Sequence, residues 1–255
     1  MSSTADWDAA RYHRLAAPQA EWGKEVLERL PLVGDETVVD AGCGSGRVTR
    51  EIAERLPRGR VIGVDASPSM VEQARAALAG YGDRVEVVLG DLAELVLAEP
   101  TDAVFSNATF HWIAHHERLF ARLHAVLRPG GRMVAQCGGE GNVAEFIAAI
   151  EEAASALEFA PYFEGWPPPW NFAGPDETEE RLRSAGFECV RPWLEERVVE
   201  PDEPREYLAA SGLAAHLERL PPELREPFKD AVLAHFEQPV RLRYVRLNID
   251  ARRPG

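Results

Sequence analysis

The stretch Val38-Val39-Asp40-Ala41-Gly42-Cys43-Gly44-Ser45-Gly46 decides how this chain is read. Thr37-Val38-Val39 is a short apolar run of the kind a buried strand needs. Three glycines follow at alternate positions. After them, Val48 to Leu56 puts Val48, Ile52, Ala53 and Leu56 on one helical face. Strand, glycine turn and helix make a loop at the carboxyl end of a strand, which is where open α/β sheets bind ligands. Glycine there lets the backbone turn tightly and lets a ligand approach without meeting a side chain.

The spacing narrows the ligand. A dinucleotide loop reads G-x-G-x-x-G. Gly42, Gly44 and Gly46 read G-x-G-x-G instead, with Arg47 at the place of the third fingerprint glycine. The phosphate loop ending in Gly-Lys-Ser/Thr is also missing. Asp40 stands just before the glycines, where it repels a pyrophosphate and suits a ligand carrying ammonium and sulfonium cations.

Outward from the loop, strands and helices alternate. Arg60 to Val64, Val85 to Leu89, Asp102 to Phe105 and Arg132 to Gln136 read as strands. Ser67-Pro68 gives an N-cap and a first-turn proline for a helix through Met70 to Leu78. His116 to Leu127 is helical and stops before Arg128-Pro129-Gly130-Gly131. This alternation predicts a parallel sheet covered on both faces. Asp65 ends the second strand, where a carboxylate accepts ribose hydroxyls. Asp91, in Gly90-Asp91-Leu92, ends the third, where a carboxylate accepts from an adenine amino group while the Leu92 backbone reads a ring nitrogen. Each aspartate alone reads equally as a helix cap. Three acids at successive strand ends beside a glycine loop favour a site.

Composition sets bounds. The 255 residues suffice for one α/β domain with a small cap. The 42 acidic and 28 basic residues give a net charge of −14, which disfavours nucleic acid and anionic lipid as partners. Cys43, Cys137 and Cys189 lie far apart, with no metal spacing and no disulfide framework expected. Reduced thiols and the lack of a signal-peptide pattern at Met1 to Trp7 fit a cytoplasmic protein. No apolar run approaches the ~20 residues that span a bilayer.

The second half is less regular. Val143 to Leu157 reads as a helix, and Phe159 to Phe172 is rich in aromatics and prolines. Pro201 to Phe236 reads as two or three helices broken by Pro204 and Pro221-Pro222. Phe187 to Val199 and Val240 to Ala251 alternate as antiparallel strands closing the sheet edge. The expected organisation is a ligand-binding core over residues 1–137 that includes an N-terminal substrate-side helix. A helical and aromatic cap over 138–236 is interleaved with strand six, at about 187–199, and 237–255 forms the last strand of the core.

Over roughly residues 35 to 137 the chain resembles the class I S-adenosylmethionine (SAM)-dependent methyltransferases. The motifs are Val38 to Gly46, Val64-Asp65-Ala66-Ser67-Pro68-Ser69-Met70, Gly90-Asp91-Leu92, Asp102 to Trp112 and Leu127 to Gly131. The resemblance implies a Rossmann-like seven-stranded sheet, mostly parallel with its last strand antiparallel, and a helical cap inserted after strand five. It implies SAM as cofactor, S-adenosylhomocysteine as product, and a cofactor site at Asp40, Ala41, Gly42, Cys43, Gly44, Asp65, Ala66, Met70, Gly90, Asp91, Leu92 and Asn107. Asp6-Trp7-Asp8, Tyr12, the pattern Asn107-Ala108 to Trp112 and the run Arg243 to Arg253 are similar to the trans-aconitate methyltransferase subgroup, whose members esterify small carboxylic acids.

A small-molecule acid is therefore the expected acceptor, methylated in line without metal by a monomer or homodimer. A carboxylate is already a nucleophile near neutral pH. A hydroxyl, amine or carbon acceptor is the alternative and calls for a base. His111 is the best-placed candidate and reads equally as a base or a packing residue, with His13 behind it. His115 and His116 read as a surface pair at a helix start. Tyr12 and Trp112 are expected to line the methyl-transfer chamber together with Trp7, while Trp166 and Trp170 serve as lid or core. Arg246, near the sheet edge, is a possible partner for the acid. An NAD-dependent oxidoreductase and a SAM-binding protein without chemistry are the competing readings.

Overall fold

A computed structural model describes the backbone of residues 17–255 and the side chains of residues 21–255. Seven strands form one sheet: β1 (Thr37–Ala41), β2 (Arg60–Asp65), β3 (Val85–Leu89), β4 (Thr101–Asn107), β5 (Leu127–Gly138), β6 (Glu188–Val199) and β7 (Leu242–Arg252). Their order is β3-β2-β1-β4-β5-β7-β6. β7 is antiparallel to both β5 and β6, so it alone runs against the rest. The order reverses between β1 and β4, and the glycine loop leaves β1 at that switch point.

Period-two alternation explains the layers. Val38, Ala103 and Phe105 face a core shared with α1 (Ala17–Glu28) and α2 (Arg47–Arg55), through Val26, Leu27, Leu30, Ile52 and Ala53. Val39 and Val104 face the opposite core, filled by Leu119, Phe120 and Leu123 of α4 (His116–Val126). α3 (Pro68–Leu78) starts on Ser67, whose Oγ accepts the Met70 N–H at 3.3 Å, as expected of the Ser-Pro start.

A separate apolar cluster joins α5 (Ala144–Ser155), the single turn α6 (Ala160–Phe163), α8 (Pro204–Ser211), α9 (Ala214–Arg219) and α10 (Pro222–Leu233) to Val240, Leu242 and Tyr244 at the start of β7. Pro204 and Pro222 open helices rather than break them, because the first helical position has no N–H to lose.

Several elements refine or differ from the sequence reading. The sequence reading expected an N-terminal helix without giving its bounds; the described helix at this end, α1, spans Ala17–Glu28. α7 (Pro175–Ser184) was missed, although it carries an opening proline, Asp176 and Glu177 in its first turn and Arg181 and Arg183 in its last. Its Leu182 completes the core beside α4. The two long runs do close the sheet edge as antiparallel neighbours, with β7 inside and β6 outermost. Among the described residues, no helix is long and apolar enough to cross a membrane.

Phe120 is fully buried and meets Phe110 edge-on at 5.9 Å. Phe120→Ala is expected to cost about 3–5 kcal/mol of unfolding free energy, measured by urea denaturation. A loss below ~1 kcal/mol would mean that this core collapses around the gap.

Candidate active site

The glycine loop is held from two sides. The Gly42 and Cys43 N–H groups both donate to the Val64 carbonyl, at 2.8 and 3.1 Å. Gly42 has φ +84, and a Cβ there would lie 1.9 Å from Thr109 Oγ1, so this glycine exists for contact with the loop after β4. Gly44, at φ +53, is different: nothing lies within 4 Å of the position its Cβ would take. Of the three glycines expected to admit a ligand, Gly44 is the one with open space beside it, since Gly46 meets Leu78 and Gly42 meets Thr109.

The three aspartates split between site and cap. The Asp65 carboxylate accepts the Gly44 N–H at 2.8 Å and the Ser67 N–H at 3.0 Å. It ties the loop to the end of β2, while Ser67 does the capping. Burial raises its pKa against these hydrogen bonds. Asp40 is 2% exposed and accepts a 2.6 Å hydrogen bond from Thr49 Oγ1. Burial raises its pKa to about 7, Thr49 opposes this, and the Asp65 charge adds to it. Asp91 is exposed and accepts the Ala93 N–H at 2.8 Å, so it caps the short turn Leu92–Glu94 as well as facing the cavity.

One cavity of 1320 Å³ collects these groups. It is lined by Asp40, Gly42, Cys43, Gly44, Asp65, Ala66, Met70, Gly90, Asp91, Leu92 and Asn107, and by His111 and Trp112. Ala41 does not line it: its side chain is fully buried in the core and its carbonyl accepts from Ser106 Oγ. Tyr12, together with Trp7 and His13, lies outside the described residues. The volume exceeds the roughly 300–1,000 Å³ that one drug-sized ligand fills, leaving room for cofactor and acceptor together.

The loop after β4 builds the second half of the cavity. Ala108 sits at φ +57, a left-handed conformation that costs a non-glycine residue, and is held there by its N–H donating to the Gln136 carbonyl at 2.7 Å. The turn Phe110–Trp112 then buries Phe110 and presents His111. The Gly138 N–H points at His111 Nδ1 across 3.2 Å. That contact assigns the proton to Nε2, because a protonated Nδ1 would face another donor. Burial pushes the His111 pKa well down, with further lowering from Arg246 and then His116. The ring is neutral near pH 7.

Arg246 is 3% exposed on β7, directly opposite Gly138 in the β5–β7 register. Its guanidinium lies over the Trp22 ring at 5.1 Å, and its Nε donates to Gln136 Oε1 at 3.3 Å. Gln136 Nε2 donates to Asn248 Oδ1 at 2.9 Å, and that oxygen also accepts from Arg29, just past the end of α1. This chain of polar groups fixes the arginine in the cavity wall, away from the sheet edge. The alternation Tyr244, Arg246, Asn248 in β7 was the available signal for one shared face. Gln136, Asn248 and Trp22 were missed because only tertiary pairing gives them meaning.

The cap supplies the roof. Trp166, Trp170 and Phe172 line the cavity, Trp170 is stacked on Phe172 within 9°, and Phe172 lies 5.6 Å from the His111 ring. His216, also missed, packs at 4.8 Å from Trp166 and 5.4 Å from Trp170. His116 departs from the expected surface pair. It is 1% exposed, with Nε2 2.9 Å from the Phe110 carbonyl, so it holds the loop that carries His111. His115 is exposed.

Asp40 gives a pH-dependent prediction. In the folded chain it keeps its proton up to about pH 7, against an ordinary value of 3.8. Between those values unfolding releases a proton, so stability falls as pH rises through the window. Asp40→Asn should gain on the wild type progressively from about pH 4 to 7 in thermal melts of the ligand-free protein. Parallel curves across that window would contradict a buried, protonated Asp40.

Comparison with known proteins agrees with this geometry. Residues 38–131 match the family described as Methyltransferase domain. A trans-aconitate 2-methyltransferase of Methylobacterium radiotolerans is 32% identical over 247 residues, 89% of this chain and 87% of that one. The same-named protein of Methylobacterium nodulans is 39% identical over 132 residues, about half of each chain. An uncharacterized methyltransferase of Schizosaccharomyces pombe is 35% identical over 188 residues, 71% of this chain and 70% of that one.

Among solved structures, the YcgJ protein of Bacillus subtilis superposes with a TM-score of 0.68 at 14% identity, covering 92% of this chain and 99% of that one. Haemonchus contortus phosphoethanolamine N-methyltransferase 2, in complex with SAM, gives 0.62 at 19% identity, covering 97% and 57%. The structures share the fold; the relatives that align along most of the chain share more, and by them it belongs to the class I SAM-dependent methyltransferases, in their trans-aconitate-methyltransferase-like subgroup.

Proposed function

We propose that the chain O-methylates a small carboxylic acid, with Arg246 receiving the acid and SAM held across the glycine loop. The cofactor fits the groups present. Gly44 leaves open space beside its backbone, and the nearby Asp40 and Asp65 carboxylates suit a cationic ligand. Asp65 takes the ribose hydroxyls in this reading. Asp91 and the Leu92 backbone read the adenine, and Ala66 and Met70 pack against it. Gly42, Cys43, Gly90 and Asn107 complete the walls. When bound, SAM supplies the methyl group: an O–C bond forms on the acceptor as the C–S bond breaks, sulfur keeps the electron pair, and sulfonium and carboxylate become neutral thioether and ester.

The observation that carries the acid reading is the state of His111. Its Nδ1 is taken by the Gly138 N–H, its Nε2 carries the proton, and a buried arginine lies beside it. A general base needs a nitrogen free to receive a proton. This ring offers a donor instead, and a donor next to a guanidinium suits an anionic oxygen. A carboxylate needs no base, since it is already ionised near neutral pH. Trp112 and the cap aromatics exclude water, which strengthens the attraction between Arg246 and the acid and aligns the attacking oxygen. The trans-aconitate name of the relatives supports the same acceptor class.

Three variants test this. Asp65→Ala should weaken S-adenosylhomocysteine binding by about 1.5–3 kcal/mol in calorimetry, and unchanged affinity would remove Asp65 from the site. Arg246→Gln should raise the KM for the acid roughly ten- to hundredfold while leaving S-adenosylhomocysteine affinity alone. His111→Ala should keep most of kcat in steady-state assays. A loss of several orders of magnitude with the fold intact would point to a hydroxyl or amine acceptor and a catalytic base.

A further inference from the structure

We infer that the acid is a monocarboxylate carried on a flat, apolar body rather than a polycarboxylate. This rests on the O-methylation reading and narrows it. Four rings close a circuit on the acceptor side of the cavity. His111 and Trp112 are 4.9 Å apart, Trp112 and Trp170 6.4 Å, Trp170 and Phe172 5.9 Å, and Phe172 and His111 5.6 Å between centroids. Phe146 and Tyr244 line the same cavity. Aromatic walls bury planar apolar surface well, and their ring faces carry negative potential, which disfavours carboxylates laid against them.

The charges agree. Among the described residues lining the cavity, Arg246 is the buried arginine. One guanidinium matches one carboxylate through paired hydrogen bonds. The other lining arginines have different settings. Arg118 is exposed and pairs with Glu94. Arg219 is exposed, donates to the Tyr162 carbonyl at 2.9 Å and lies over Trp166 at 5.1 Å. Arg47 is half-buried at the start of α2, beside the glycine loop. The cofactor side adds the Asp65 and Asp91 carboxylates, which repel further negative charge on the acceptor. Among the described residues, a second carboxylate beside the one on Arg246 would meet ring faces, acids or the exposed Arg118 and Arg219, whereas an apolar plane would lie along Trp170 and Phe172.

The test is a turnover panel with the full chain and methyl-labelled SAM: trans-cinnamate, indole-3-acetate, trans-aconitate and cinnamyl alcohol. The expected result is a kcat/KM for a flat monoacid above that for trans-aconitate by about tenfold or more, the discrimination expected of ring contacts. Trp170→Ala should then lose about tenfold in kcat/KM for that acid, mainly through KM, with S-adenosylhomocysteine affinity unchanged. Trp170→Phe should recover most of it, which a merely structural role would not require. Preference for trans-aconitate, together with its loss in Arg219→Gln, would overturn the monocarboxylate inference and leave O-methylation of acids standing, with Arg219 taking a second carboxylate. Methylation of the alcohol and of neither acid class would overturn both readings.

Discussion

The pairing of β5 with β7 is the constraint on which the site depends. It sets Gln136 against Asn248 and Gly138 against Arg246. The first pair carries the polar chain that steadies the arginine. The second puts the backbone donor that fixes the His111 tautomer beside the arginine proposed to meet the acceptor. A slip of one residue would turn Arg246 to the other face of the sheet, because side chains alternate. β7 also begins in the cap cluster, through Leu242 and Tyr244, and ends against the core through Ile249 and Ala251. One strand thus sets the acceptor groups, the roof and the sheet in register.

The cofactor half of the site was legible in sequence, and for a local reason. Its glycines, its aspartates and the Ser67-Pro68 cap lie within a few residues of strand ends, and their conformations follow from short-range sterics and hydrogen bonds. Even there the sequence blurred separate duties. Gly42 answers to Thr109 and Gly44 to open space, and only Asp91 among the three aspartates also serves as a cap. Ala41 lies within the motif of the glycine loop, yet its side chain packs in the core.

The acceptor half was legible only as a set of candidates. Arg246 reads as a strand residue of unknown face until its partner strand is known, and Trp22 belongs to no motif that the sequence reading used. His116 looks like a surface histidine because its neighbour His115 is one; burial under Phe120 and the Phe110 carbonyl decides otherwise. His216 carries no motif, and only the gathered rings of the cap give it a place. These roles come from contacts between residues far apart in the chain, which neither periodicity nor spacing records.

The contact between Gly42 and Thr109 has a consequence for how such a site changes over generations. The loop facing the cofactor and the loop facing the acceptor are interlocked at one point, where no side chain larger than hydrogen fits on the first without displacing the second. A larger residue at Thr109 is limited by its close packing against Gly42 in the glycine loop. The freedom to acquire new acceptors is therefore concentrated in the cap, in the segment from Trp166 to Phe172, which touches the acceptor side without that lock. The lock is between one backbone and one side chain, since the atoms that a Gly42 Cβ would meet are Thr109 Oγ1, Cγ2 and Cβ.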